Sequence, residues 1–561
     1  MGLAEKLNCI RERRKNVSSC EFFRMTTTMN LFDSAYIELH DDIKKPFPFQ
    51  NMDATETFGV MTLSVPKVEI TKQPLFLFFT VDVTGSMSER ESLTGSKKID
   101  YVIQTFKNMM IYLSKLSTSV HICVNTFNDN VNLWVEPTEL QEGLALTELI
   151  QKMETIETSG TTNIELALKS ANERLVSYAE MYPEHQIVHM FMTDGDATEG
   201  DKNPDRLCKL LNTRFHNIFV GYGLQHNVQL LRTLGEQPLS EYQFVDNMEN
   251  TTLVYGESIH QFLYPALQNV EIYIHNGTIY NWQTDSWSHS IQESLFVGET
   301  NKKYHIRTRT PDAVYATVTA VTVSTQKSSM EEVHVLPALL AETGDLLGTD
   351  LTKYMYRQRV QELLARAKTI DIYNNNNNNT KYKQELRDVF RQMRQYMRQN
   401  GLLDDPFMKT LCDDLFVVYS TMGRKYGLMY SVARQTSQGR QQTYNISTPV
   451  HIDSRVDTLF APPPPILRRL KTASQQPDTE YIDNMELFLK EKNSRGLSLI
   501  HPDVLDCVES DQFDEIMARN KKNEDDIENY KTNPADKFTC YASPTVLSTV
   551  QAMASHSESL F

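Results

Sequence analysis

Between residues 75 and 267, short apolar runs alternate with stretches whose apolar positions recur at helical spacing. The run Leu75-Phe-Leu-Phe-Phe-Thr-Val81 has no polar interruption until its end and reads as a strand buried on both faces. Further strands are expected at 120–127, 132–135, 187–192, 218–221 and 242–245. Between the first two, Ile99, Val102, Ile103, Phe106, Met110 and Leu113 fall on one helical face. The same spacing predicts helices over 145–156, 164–178, 205–211 and 254–267. Strands that alternate with helices predict a doubly wound, mainly parallel α/β sheet.

The pattern changes after 267. Val270 to Ile274 alternates, Asn276-Gly277 is a strong turn signal, and 278–280 alternates again, which predicts a β-hairpin. Strands around 295–297, 304–306 and 313–323 complete an expected β-sandwich-like domain at 268–325. A strand at 61–70, within a lead-in segment of 55–74, can join it from the other side, and Pro66 would confine that strand to an edge or bulge. Helices are expected at 351–370, 381–400 and 407–419, with Gly401 as a stop, inside a helical region of 345–435. The asparagine run 374–379 has nothing to bury and reads as a loop. An extension at 1–54 precedes all this, and 436–561 reads as a proline-containing linker with a partly disordered tail. There the run Ala461-Pro-Pro-Pro-Pro465 is a stiff spacer, with helix candidates at 481–492 and 511–519.

Composition narrows the function classes. The 561 residues carry a formal charge of −16, so the chain as a whole has no attraction to phosphate backbones or anionic lipid, and neither nucleic acid nor membrane is expected as a partner. The longest apolar run falls far short of the roughly 20 residues that span a bilayer. Seven scattered cysteines without a C-x-x-C pair argue against a disulfide framework or zinc finger and for a reducing, cytoplasmic setting. Walker, H-E-x-x-H and G-x-S-x-G signatures are absent, so no enzymatic activity is expected.

The candidate chemistry sits where the first α/β strand ends, in Asp82-Val-Thr84-Gly-Ser86-Met87. One carboxylate and two hydroxyls at alternate positions of a turn can converge on a hard cation, and oxygen-only ligands of low charge suit Mg²⁺. Ser159-Gly160-Thr161-Thr162-Asn163 opens a helix and Phe191-Met192-Thr193-Asp194-Gly195-Asp196 ends a strand, so both bring oxygens to the same sheet edge. With Cys123-Val-Asn-Thr-Phe127-Asn, these segments resemble the von Willebrand factor A (VWA) family over about 75–267. The resemblance implies a metal-ion-dependent adhesion site. Ser86, Thr84 and Thr162 match its hydroxyl ligands, and Asp82 and Asp194 match carboxylates that usually act through water. It further implies a Mg²⁺ site, open to Mn²⁺ or Ca²⁺, whose free position takes an acidic residue of a protein partner. A VWA subunit that recruits substrate to a separate ATPase or ligase, or an assembly protein of a virus particle, are the alternatives.

Three other signals carry bland readings. His185 and His189 have helical zinc spacing but fall on a strand, where four residues span about 13 Å, too far to share a metal. Arg387, Arg391, Arg394 and Arg398 form a stripe that reads as the solvated side of an amphipathic helix, with Asp413 and Asp414 as candidate ion partners. Asp196 beside Asp194 reads as outer support for a metal or a turn cap rather than an acid–base partner.

Overall fold

The computed structural model describes residues 26–31, 56–67, 74–90, 96–223, 225–245, 251–311, 313–323, 327–334, 351–368, 376–422, 427–444, 527, 530 and 538–554. The polyproline run and the tail helices expected at 481–492 and 511–519 lie outside the described residues.

In chain order, β1 (Thr26–Leu31) and β2 (Thr57–Val65) come first, and an α/β unit follows. Its strands are β3 (Leu75–Asp82), β4 (Val120–Phe127), β5 (Val131–Glu139), β6 (Gln186–Thr193), β7 (His216–Tyr222) and β8 (Ser240–Val245). They form one sheet in the order β5-β4-β3-β6-β7-β8. All neighbours run parallel except β5, which is antiparallel to β4 at the edge. Every residue of β3 is buried. That follows from helices covering both faces, the only setting in which an uninterrupted apolar strand is stable.

The helices are α1 (Lys98–Ser114), α2 (Leu144–Glu154), α3 (Ile164–Met181), α4 (Pro204–Cys208), α5 (Val228–Gly235) and α6 (Thr251–Leu263). The helix expected at 254–267 stops at Leu263, and Pro265 opens a strand instead. Proline ends the helical ladder there, and its fixed φ suits an extended segment. Because β3 pairs with β4 on one side and β6 on the other, the order in which strands are added switches sides at β3, a topological switch point at the carboxyl ends of β3 and β6.

Strands β9 (Pro265–His275), β10 (Gly277–Asn281), β11 (Ser286–Ser288), β12 (Ser290–Val297), β13 (Thr300–Thr308), β14 (Tyr315–Thr322) and β15 (Lys327–His334) build two further sheets. Among the described residues these are β1-β2-β13-β10-β11 and β12-β9-β14-β15. Met61 and Leu63 from β2, Ile306 from β13, Ile272 and Ile274 from β9 and Val318 from β14 share one core, so the sheets pack face to face. Here the sequence reading is corrected: β9 and β10 flank the Asn-Gly turn but pair in different sheets. Asn276 does take the left-handed conformation the turn needs, with φ 58. The turn hands the chain from one sheet to the other, because cross-strand partners on β13 and β14 decide the pairing. The strand expected at 61–70 runs Thr57–Val65 and stops before Pro66, consistent with proline's missing donor. Strand β1 falls inside the stretch read as an N-terminal extension.

Helices α7 (Leu351–Ala367), α8 (Asn376–Gln399), α9 (Pro406–Thr421), α10 (Gly427–Arg440) and α11 (Pro544–Ala554) follow. The chain divides into two compact units, 1–359 with 439–443 and 541–561, and 360–438 with 444–540. Asn376 to Asn379, read as loop, belong to the first turn of α8. Tyr382, Leu386, Phe390, Met393 and Met397 bury one face of that helix, and asparagine's helix penalty of under about 1 kcal/mol per residue is too small to stop the helix extending backward. Asp414 binds Arg434 and Gln438, and Asp413 accepts the Tyr530 hydroxyl. In the stretch read as tail, α11 buries Val546, Val550 and Met553, and Gly256 on α6 leaves the space that Val550 fills.

Candidate metal-binding edge

Strand β3 delivers Asp82 to the carboxyl edge, and a 3₁₀ turn at Gly85–Ser88 folds Thr84 and Ser86 back over it. The Ser159 N–H donates to Val83 O at 2.8 Å and the Gly85 N–H to Gly160 O at 3.3 Å, which fastens the 159–162 segment beside the turn. Asn163 caps α3 through Leu166 N, so Thr162 stands one residue before the cap. Strand β6 ends at Thr193, which places Asp194 next to β3.

These elements bring the five expected residues together. Ser86 Oγ donates to Asp194 Oδ1 at 2.7 Å. Its single proton is therefore committed, and the 3.0 Å contact with Thr84 Oγ1 has Thr84 as donor. Asp82 is fully buried; Oδ1 accepts the Thr84 N–H at 2.9 Å and Oδ2 accepts the Thr193 hydroxyl at 2.6 Å. Burial pushes the Asp82 carboxyl up to about 6, with the Asp194 charge adding to it and the Thr193 and Thr84 bonds opposing. The Thr162 N–H is taken by Thr198 Oγ1 at 2.8 Å, while among the described residues nothing bonds the Thr162 hydroxyl. A Cβ on Gly195 would stand 3.7 Å from both Ser86 Oγ and Thr162 Oγ1, so the two hydroxyls face one small space that glycine keeps open.

Three contributors escaped the sequence reading. Thr193 holds the second oxygen of Asp82. Lys98 Nζ donates to Asp194 Oδ2 at 2.7 Å, and Glu89 binds the same ammonium at 2.8 Å. The signal for Thr193 was its place beside Asp194; for Lys98 there was none, because its partner lies 96 residues away. Asp196 is exposed. From the fourth segment it is Asn128, donating to Ser159 O at 3.0 Å, that reaches the edge. His185 and His189 go separate ways: the first contacts His121, the second Thr80 and Asn217. Among the described residues no cluster of three His, Cys, Asp or Glu side chains is poised for a metal. A cation here would rest on hydroxyls and two carboxylates, a set of oxygen donors that fits Mg²⁺ and offers nothing to a thiophilic ion.

The von Willebrand factor type A domain family matches residues 77–256. The chain carries a VWA domain. Inter-alpha-trypsin inhibitor heavy chain H3 of Rattus norvegicus is 22% identical over 310 residues, 53% of this chain and 33% of that protein. Heavy chain H2 of Mesocricetus auratus is 25% identical over 206 residues, 35% of this chain and 21% of that protein. This chain thus spans a third or less of the curated relatives it matches. Among solved structures, the ArnB paralog VWA2 from Sulfolobus acidocaldarius is similar at TM-score 0.43 and 11% identity, over 74% of this chain and 97% of that one. Proximal thread matrix protein 1 from the mussel byssus, solved with a zinc-occupied MIDAS motif, is similar at TM-score 0.25 and 17% identity, over 33% of this chain and 45% of that one.

Proposed function

We propose that the VWA domain is a non-enzymatic docking module that binds a protein partner through Mg²⁺ held at Asp82, Thr84, Ser86, Thr162 and Asp194. The observation that carries this reading is the linkage of these side chains at one sheet edge: Asp82 accepts the Thr84 N–H, Thr84, Ser86 and Asp194 bond in series, and the Ser86 and Thr162 hydroxyls face the space beside Gly195. A fully buried carboxylate such as Asp82 is costly without a counter-cation, and among the described residues its partners are only the Thr84 and Thr193 donors. When bound, the cation supplies a positive centre with an unfilled position that a partner's Asp or Glu can enter. Mn²⁺ is the natural substitute, and Ca²⁺ fits the same donor type at longer bonds.

The mutual hydrogen bonds of Thr84, Ser86 and Asp194 hold oxygens in place rather than strip a proton from one of them, which favours holding a cation over nucleophilic chemistry. The buried thiols of Cys123 and Cys412 agree with an intracellular setting. A thermal melt of the full chain tests the reading. Mg²⁺ or Mn²⁺ raises the midpoint of the wild type relative to EDTA and leaves Asp82→Ala unmoved; equal shifts in both proteins would remove the cation from this edge.

A further inference from the structure

Lys98 occupies the first turn of α1, where the helix dipole disfavours a cation. The fold nevertheless anchors it from several sides. Its N–H donates to Glu89 O at 3.1 Å, and Arg90 and Lys97 form an antiparallel bridge beside it. Its ammonium is bound at 2.8 Å by Glu89 and at 2.7 Å by Asp194 Oδ2, and the side chain is only 14% exposed. Asp194 is thereby shared: Oδ1 faces the hydroxyl cluster through Ser86, and Oδ2 is claimed by a resident cation. Local preference is violated where a site needs a charge, which is the usual place for such violations.

We propose that Lys98 is a built-in counter-charge that weakens metal binding at Asp194 and, once the metal is in, leaves the edge neutral rather than negative for the partner's carboxylate. The proposal rests on the docking reading above. Its arithmetic is simple. Asp82, Asp194, Glu89 and Lys98 together carry two negative charges, which a divalent cation neutralises. Without Lys98 the same cation would leave one of the three carboxylate charges uncompensated, against the partner's own carboxylate. Because the ammonium sits on the oxygen turned away from Ser86, it need not leave when the metal enters. It acts by repulsion across one carboxylate, and at such range a unit charge alters affinity on the order of tenfold or more.

The experiment measures Mn²⁺ binding to the full chain by calorimetry, then titrates acetate into the Mn²⁺-loaded protein and follows the Mn²⁺ paramagnetic resonance spectrum. Lys98→Met is expected to tighten Mn²⁺ binding about tenfold and to weaken acetate binding, while Lys98→Arg, which keeps the charge, stays near wild type. A merely structural role would not move the two ligands in opposite directions. Unchanged or weaker Mn²⁺ binding in Lys98→Met, with wild type binding normally, overturns the counter-charge and leaves the docking site standing. Binding in Lys98→Met but not in wild type supports the counter-charge and overturns the docking reading. If neither protein binds Mn²⁺, both fall. Circular dichroism checks folding; should Lys98→Met be unfolded, Lys98→Gln takes its place, and if that too is unfolded, Lys98 is a strut and the proposal fails.

Discussion

Two buried carboxylates in this molecule meet opposite fates. Asp414 in α9 is fully buried, and its oxygens are taken by Arg434 at 3.2 Å and Gln438 at 2.7 Å. Asp82 is as deeply buried, yet among the described residues its oxygens receive only a backbone N–H and a threonine hydroxyl. Burial pushes both carboxyls up, Asp414 to about 7 and Asp82 to about 6. The helical region answers the problem with its own cation on a neighbouring helix, and the site is complete. At the strand ends the protein supplies one ammonium, Lys98, and gives it to Asp194. On the docking reading proposed above, Asp82 and the unbonded hydroxyl of Thr162 are the groups a cation from outside would complete. A polar cluster that satisfies itself supports the fold, and a buried group left short of partners calls for an explanation, which the proposed cation would supply here.

The comparison breaks most visibly if the finished cluster proves dispensable. Arg434→Met leaves Asp414 buried without its cation and should cost about 3–5 kcal/mol in urea unfolding, with Mn²⁺ affinity of the folded protein unchanged. A cost within error would mean that the helical region does not depend on its own ion pair. Next in size is a pH effect within the α/β unit. His189 bonds Thr80 and Asn217 in the core, and burial pulls it down to about 4 from an ordinary 6.5. Above pH 6.5 it is neutral folded or unfolded, and its full contribution is present. As pH falls from 6.5 towards 4 the unfolded chain takes the proton first, and up to about 3 kcal/mol is lost. His189→Gln should flatten that part of the stability–pH curve, as followed by melts between pH 4 and 8. The smallest effect on stability sharpens the comparison at the edge itself. Gly195→Ala puts a methyl 3.7 Å from Ser86 Oγ and Thr162 Oγ1, an ordinary contact, so stability should stay within about 0.5 kcal/mol. Mn²⁺ affinity should nevertheless fall severalfold, because the methyl fills the space the hydroxyls share.

The same contrast separates what could be read from the chain from what could not. Uninterrupted apolar runs such as Leu75 to Val81, with helical spacing between them, are local signals and led to the α/β sheet. The three site segments were legible because each is short and ends a strand or opens a helix. Pairing over distance was not. The Asn-Gly turn at 276–277 is real, but nothing local says that its two arms join different sheets. Asn376 to Asn379 look like loop residue by residue, and the buried face that begins at Tyr382 carries them into a helix. The helix at Pro544–Ala554 was hidden for a related reason: Val546, Val550 and Met553 make a short stripe that means little until Gly256 is seen to receive it. Nothing local in the sequence points from Lys98 to Asp194, which the fold brings to it from 96 residues away.

An external divalent cation is proposed to complete the edge around Asp82. Calorimetric titration of Mn²⁺ into the full chain and into Asp82→Ala, both confirmed folded by circular dichroism, tests it most directly. One site per chain is expected in the wild type and none measurable in the variant. Equal binding by the two proteins, or no binding by the wild type, would contradict it.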